Sequence, residues 1–310
     1  MGSWGGTSRQ KLCLALGGGG ARGLSHLGVL QVLERERIPV DGIVGTSAGA
    51  LVGAAYALHS DAMEITRRAL GYLKSDSFRG DIFKKVLFRS ENVERNFLRA
   101  LLRNIRKGYI FSNLLRGPAI FPSDRLYSVI CDLIPDRNFE DTSIPFAVPA
   151  IDIKSGEEVL ITEGPLRKAL LASCSLPGFF PPVEYKGMLL ADAGIIGPVP
   201  VEAARLRFSP AAVIAVDISQ RIEQIDRIDL GIEAILRMES IAGKRLNDLE
   251  LSRADVIIHP EVGEKSWSDF SGLEAMVWNG ISAAEAKLPE IRRLITAHRI
   301  PFWKTPRSPA

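Results

Sequence analysis

The chain has 310 residues, 46% of them hydrophobic and 24% charged, a globular mix with enough apolar material for a substantial core. A formal net charge of +3 is far from the concentrated positive field of a dedicated nucleic-acid binder, so no nucleic-acid partner is expected. Three cysteines, Cys13, Cys131 and Cys174, are odd in number and widely spaced, which fits neither a disulfide framework nor a paired-cysteine metal knuckle and points to free thiols in a reducing, cytoplasmic setting.

Residues 1–10, MGSWGGTSRQ, lack the basic-then-apolar order of a secretory signal and carry Gly6 where a myristoylation signal needs Ser or Thr, so they read as a flexible tail. Lys11 to Leu16 form a short apolar run stopped by glycines, after which Leu24, Leu27, Leu30 and Leu33 recur at helical spacing. The same plan repeats at once: Pro39 to Val44 reads as a strand, Gly45 to Gly49 as a tight turn, and Ala50 to Leu58 as a helix. Such alternation predicts parallel strands joined by right-handed crossovers. The uncharged stretch from Gly42 to Leu58 is too rich in Gly, Ala, Ser and Thr to span a membrane and reads as a buried helix of small residues.

From about 60 to 122 the pattern changes, with Lys84, Lys85, Arg89, Arg99, Arg103, Arg106 and Lys107 scattered among Phe83, Phe88, Phe97, Leu101 and Phe111. Two readings fit this cap-like segment: amphipathic helices over the core with a solvated charged face, or a cover that shapes an acyl groove and touches anionic lipid. Strands are then predicted over Phe146–Lys154 and Glu157–Thr162, a helix from Leu166, a strand ending at Asp192, and strands over Val213–Ile218 and Val256–His259. Helices near Ile232–Leu251 and Ala283–Thr296 fill the gaps. With no repeat and no linker rich in Pro, Gly or Ser, residues 11–300 are expected to form a single domain, and 301–310 a C-terminal tail.

Gly45-Thr46-Ser47-Ala48-Gly49 matches G-x-S-x-G, the elbow in which a strand turns so sharply into a helix that the central serine is strained and exposed to substrate. Gly45 and Gly49 are needed because side chains there would collide across the turn. The upstream loop Gly18-Gly19-Gly20-Ala21-Arg22-Gly23 fits G-x-G-x-x-G, and two uses share its physics. Backbone N–H groups at a helix start bind a dinucleotide pyrophosphate, with Asp41 near the place of the ribose-binding acid, or they bind the oxyanion of an acyl intermediate. A nucleophile elbow on the next strand favours the second use. Arg22 either holds the loop, orients a phosphate-bearing substrate, or sits solvated at the helix start.

A serine needs a base, and none of the four histidines, His26, His59, His259 and His298, stands out. His26 and His59 lie on helices where structural roles are expected, and His259, after a strand, lacks a third member. Asp192, closing the apolar run Leu189-Leu-Ala-Asp192-Ala193-Gly194 before a small-residue turn, is the better candidate. Strand carboxyl ends of a parallel sheet converge on the ligand crevice, and a buried carboxylate with a raised pKa can act as base. Taken alone, an Asp in that position is also a common turn former.

GGGARG, GTSAG and Asp192-Ala193-Gly194, in that order, together with Ala172-Ser-Cys-Ser-Leu-Pro-Gly-Phe-Phe-Pro-Pro182, resemble the patatin-like phospholipase family from about Lys11 to Ser219. The closest resemblance is to bacterial members related to the neuropathy-target-esterase catalytic domain. It implies an α/β fold, a patatin-like three-layer sandwich with a mainly parallel central sheet flanked by helices. It also implies a Ser47–Asp192 dyad without histidine, and oxyanion donors from the backbone of Gly18, Gly19 and Gly20. Arg22, Gly23, Gly45, Gly49, Ala193 and Gly194 fall on the supporting motif positions. The implied substrate is a lipid or other acyl ester, met in transient contact at a membrane surface, with no metal or organic cofactor required. One departure stands out: Ala193 replaces the glycine that usually follows the aspartate, and a positive φ there would cost about 1–2 kcal/mol. That departure motivates a rival reading as a non-catalytic lipid-binding protein on the same fold; a nucleotide-binding oxidoreductase is the second rival. Oligomeric state is not legible in the sequence.

Overall fold

The computed structural model describes residues 11–76, 78, 117–222, 224–263 and 269–301. Eight strands form one sheet: β1 (Leu12–Leu16), β2 (Gly42–Gly45), β3 (Phe146–Asp152), β4 (Glu158–Ile161), β5 (Val183–Tyr185), β6 (Met188–Asp192), β7 (Ala212–Val216) and β8 (Val256–Ile258), in the order β5-β6-β3-β2-β1-β7-β8 with β4 also on β3. The helices are α1 (Leu24–Arg35), α2 (Ala48–His59), α3 (Ala62–Lys74), α4 (Ser123–Leu133), α5 (Leu166–Cys174), α6 (Val201–Phe208), α7 (Gly231–Leu251) and α8 (Leu273–Ala297).

The central strands are apolar throughout because both sheet faces are covered. Leu12, Leu14 and Leu16 of β1 point into a large core with Ile43, Ile214 and residues of α1, α2 and α8, whereas Ala15 points the other way, to Val44, Ala147, Val213 and Ala204 of α6. The small residues of α2 serve close packing: a Cβ on Gly53 would stand 2.9 Å from the Phe146 ring and 3.1 Å from Ile43. The buried small-residue helix expected from the uncharged stretch is therefore present. Among the described residues no helix is long and apolar enough to cross a membrane.

The sheet is mainly parallel, as expected, with an antiparallel edge: β3, β2, β1, β7 and β8 run parallel, while β4 and β6 pair antiparallel with β3, and β5 antiparallel with β6. The three-residue β5 escaped sequence reading because so short a run, Val183-Glu184-Tyr185, carries little periodicity. Helix α8 starts at Leu273 rather than near Ala283; Met276, Val277, Gly280 and Ala284 continue its buried stripe, and Gly280 leaves room where a Cβ would lie 1.9 Å from the Ser25 carbonyl of α1. Of the cap-like segment over 60–122, α3 and residues 117–122 are described; its basic and aromatic middle, from Lys84 to Phe111, lies outside the described residues. So do residues 1–10 and 302–310.

The mixed pairing decides where Asp192 goes. Ile43 and Val44 of β2 are in register with Phe146 and Ala147, so β2 ends level with Val148, while β3 runs on and pairs Ala150 with Asp192. Asp192 is thus delivered by an antiparallel strand, not, as expected, by the carboxyl end of a parallel one. Along the strand direction it lies level with a point about 7 Å beyond the end of β2, at roughly 3.3 Å per residue, and Ser47 follows that end by two residues.

Candidate active site

Ser47 sits between β2 and α2 with φ 52° and ψ −116°, a conformation that costs a non-glycine residue about 1–3 kcal/mol and persists only when its surroundings impose it. They do so on several sides. Thr46 N–H donates to the Leu16 carbonyl at 3.0 Å, Ser47 N–H to Ser173 Oγ at 3.0 Å, and Gly49 N–H to the Thr46 carbonyl at 2.8 Å. A Cβ on Gly45 would lie 2.4 Å from the Gly49 carbonyl oxygen, and one on Gly49 only 2.2 Å from that of Leu16, so the turn closes at both glycines. Gly23 fills the same need between α1 and α2, where a Cβ would stand 2.7 Å from that of Ala48.

Asp192 is 6% exposed and close enough to the Ser47 hydroxyl for that group to lower its pKa. Its backbone N–H donates to the Ser175 carbonyl at 3.0 Å, and its Oδ1 accepts from Gly194 N–H at 2.7 Å. Burial pushes the carboxyl pKa up to about 6, against the opposing pull of the Gly194 N–H and the Ser47 hydroxyl. Ala193 opens a short 3-10 turn and is not among the residues with positive φ, so its side chain carries no backbone strain. Gly194 is the tighter position of this turn, a Cβ there falling 3.0 Å from Asp192 Oδ1. Cys174, also buried, lies close enough to Ser47 and Asp192 for both to act on its thiol, and burial raises its pKa so that it stays neutral.

The glycine loop passes beside the serine, a Cβ on Gly18 falling 3.4 Å from Ser47 Cβ. Its N–H groups are not equivalent. Gly18 N–H already donates to the Pro198 carbonyl at 2.9 Å, which removes it from the expected set of free donors in this geometry. Gly19 and Gly20 carry no N–H hydrogen bond among the described residues, nor does Ala48 at the start of α2, a donor that sequence reading missed. Arg22 is 8% exposed, not solvated, and its Nε donates to the Gly19 carbonyl at 3.1 Å. Because that carbonyl and Gly20 N–H share one peptide plane and point opposite ways, the Arg22 bond fixes the direction of the Gly20 donor. Burial lowers the Arg22 pKa to about 10, with Asp217 acting against it, so the side chain remains a cation at neutral pH.

No histidine competes with Asp192 for the serine. His26 is buried, its Nε2 hydrogen-bonded to the Gly17 carbonyl at 2.8 Å, and burial drives its pKa down to about 4, so it clamps the loop as a neutral ring. His259 pairs through Nδ1 with Asp217 Oδ2 at 3.2 Å, and that partner raises its pKa. It follows β8, three strands from β2 and therefore about 14 Å away laterally at ~4.8 Å per strand. His59 is exposed at the far end of α2, and His298 follows the end of α8. The ribose-binding role for Asp41 fails on position: its Oδ2 accepts from Leu12 N–H at 3.1 Å, at the opposite end of β1 from the glycine loop.

Comparisons with known proteins identify the family. The family model for patatin-like phospholipases matches residues 14–205. The chain is 30% identical over 196 residues to an uncharacterized NTE family protein of Mycobacterium tuberculosis, covering 63% of this chain and 46% of that protein. It is also 30% identical over 260 residues to patatin-like phospholipase domain-containing protein 6 of Homo sapiens, covering 82% of this chain and 16% of that protein. The chain therefore matches less than half the length of either relative. Among solved structures it is similar to VipD from Legionella pneumophila, with a TM-score of 0.49 at 17% identity over 94% of this chain and 67% of that one.

Proposed function

The chain belongs to the patatin-like phospholipase family, and on that premise we propose that it hydrolyses acyl esters of lipids, phospholipids or lysophospholipids, through a Ser47–Asp192 dyad. The observation that carries this reading is the buried Asp192 carboxylate close to the hydroxyl of a strained Ser47, with no histidine in reach of either. In the proposed cycle Ser47 Oγ attacks the ester carbonyl carbon while its proton passes to Asp192. Negative charge developing on the carbonyl oxygen is met by the Gly19 and Gly20 N–H groups, with Ala48 N–H and the positive end of α2 beside the nucleophile. Collapse breaks the ester bond, the leaving alcohol takes the proton from Asp192, and an acyl-Ser47 remains. Asp192 then removes a proton from water, whose oxygen attacks the acyl carbon; fatty acid departs and Ser47 regains its hydrogen. Arg22 and His26, which grip the Gly19 and Gly17 carbonyls, hold the donor loop in this reading. A lipid substrate brings the protein into transient contact with a membrane surface.

The test is turnover of p-nitrophenyl esters and lysophospholipids by wild type, Ser47→Ala and Asp192→Asn, together with labelling by a fluorophosphonate probe. Each substitution is expected to lower kcat by at least about a thousandfold, and the probe to label wild type but not Ser47→Ala. Turnover retained by both variants would sink the dyad.

A further inference from the structure

Two strand spacings, about 10 Å, separate β2 from β6 across the intervening β3, so the sheet alone does not bring Ser47 to Asp192. Something must register one against the other. The last turn of α5 touches both. Ser173, fully buried, accepts the Ser47 N–H on its Oγ at 3.0 Å. Two residues on, the Ser175 carbonyl accepts the Asp192 N–H at 3.0 Å. Between them Cys174, buried, is near enough to both Ser47 and Asp192 for each to act on its thiol. The tripeptide is itself pinned: Ser175 Oγ donates to the Leu171 carbonyl at 2.7 Å and Ser175 N–H to the Ala172 carbonyl at 3.2 Å, which tie it to the body of α5.

We propose that Ser173-Cys174-Ser175 is a clamp that sets the separation of nucleophile and base, with Ser173 a positioning residue for the reaction. This inference rests on the dyad reading above. The Ser173 bond holds the backbone of a residue whose φ of 52° is intrinsically unfavourable, and so directs where Ser47 Oγ points. It also explains how Ser47 N–H, at the start of α2, is satisfied without being used as an oxyanion donor. Without the Ser173 oxygen the elbow relaxes and the Ser47 hydroxyl turns from Asp192. The carboxylate then loses the nearby hydroxyl that favours its ionised form.

The experiment compares wild type, Ser173→Ala, Ser173→Cys and Ser173→Thr with Ser47→Ala and Asp192→Asn. Steady-state kinetics on a p-nitrophenyl ester are measured across pH, active sites are counted by fluorophosphonate titration, and folding is followed by thermal melting. Ser173→Ala is expected to lower kcat per titrated site roughly 10- to 100-fold with KM within about twofold, as misplacement of a reacting group does. The acid limb of its kcat/KM profile should move to higher pH. Ser173→Thr, which keeps the acceptor oxygen, should restore most of the rate. If Ser173→Ala does not fold, Ser173→Cys, nearly isosteric but a weak acceptor, carries the same expectation. Wild-type kcat per site and an unmoved acid limb in Ser173→Ala or Ser173→Cys, alongside inactive Ser47→Ala and Asp192→Asn, overturn the clamp alone. Activity surviving in Ser47→Ala or Asp192→Asn overturns the dyad, and the clamp with it.

Discussion

Asp192 carries a property that can be measured directly, a carboxyl raised by burial to about 6. As the proposed base it works ionised, so kcat/KM is expected to fall on acidification with a midpoint near pH 6, well above the ordinary Asp value near 3.9. A pH–rate profile of wild type checks this, and a plateau reaching down to pH 4.5 would contradict it. The same shift has a stability side. The native state holds this proton more tightly than the unfolded chain, so the group's contribution is complete below the unfolded pKa and is lost as pH rises through about 6. Asp192→Asn removes the buried negative charge while keeping an acceptor for Gly194 N–H. It should therefore raise stability by up to about 3 kcal/mol at pH 8 and change it little at pH 4, as read from urea melts at the two pH values. Equal effects at both would show that desolvation of the charge is not the cause.

The elbow and the helices around it depend on absent side chains, and two glycines with opposite surroundings make the point. A Cβ on Gly49 would lie 2.2 Å from the Leu16 carbonyl oxygen and 2.7 Å from that of Gly17, main-chain atoms that cannot swing aside, so β1 or α2 must move. Gly71, exposed in α3, has nothing within 4 Å of its Cβ position. Gly49→Ala is expected to cost about 3 kcal/mol or more, or to prevent folding, whereas Gly71→Ala should stabilise the chain by about 0.5–1 kcal/mol through helix propensity. Denaturant titration of both variants gives the comparison, and a neutral Gly49→Ala would mean that the elbow is looser than its contacts imply. Three helical features were legible in advance: the leucine spacing of α1, the small residues of α2, and the position of α5. The full length of α8 was not, because Asn279 and Gly280 interrupt its apolar pattern, and only contact with Ser25 explains why a glycine belongs there.

Across the whole molecule, the sheet separates two ends that the sequence cannot distinguish. The glycine loop, Ser47 and Asp192 gather beyond the carboxyl end of β1 and β2, while Asp41 binds Leu12 N–H at the other end. No stoichiometric binding of NAD or NADP is therefore expected in calorimetry, and a 1:1 isotherm would reopen the dinucleotide reading. The architecture is the patatin-like α/β arrangement, a mainly parallel sheet covered by helices on both faces. The sequence by itself determined the fold class and both G-rich turns, because strand, turn and helix there follow from local chemistry: short apolar runs, glycines where side chains would collide, and a serine at the tip. It also marked Asp192, through its place between an apolar run and a small-residue turn. Only the tertiary structure decided that Asp192 arrives on an antiparallel strand, that Gly18 N–H is engaged by Pro198, that Arg22 and His26 grip the loop from within, and that the end of α5 ties Ser47 to Asp192. Those facts are pairings between residues up to 180 positions apart, as from Gly18 to Pro198, and they depend on strand order and register. Such pairings leave no periodic trace in either partner, because a carbonyl accepts a hydrogen bond through backbone atoms that every residue carries.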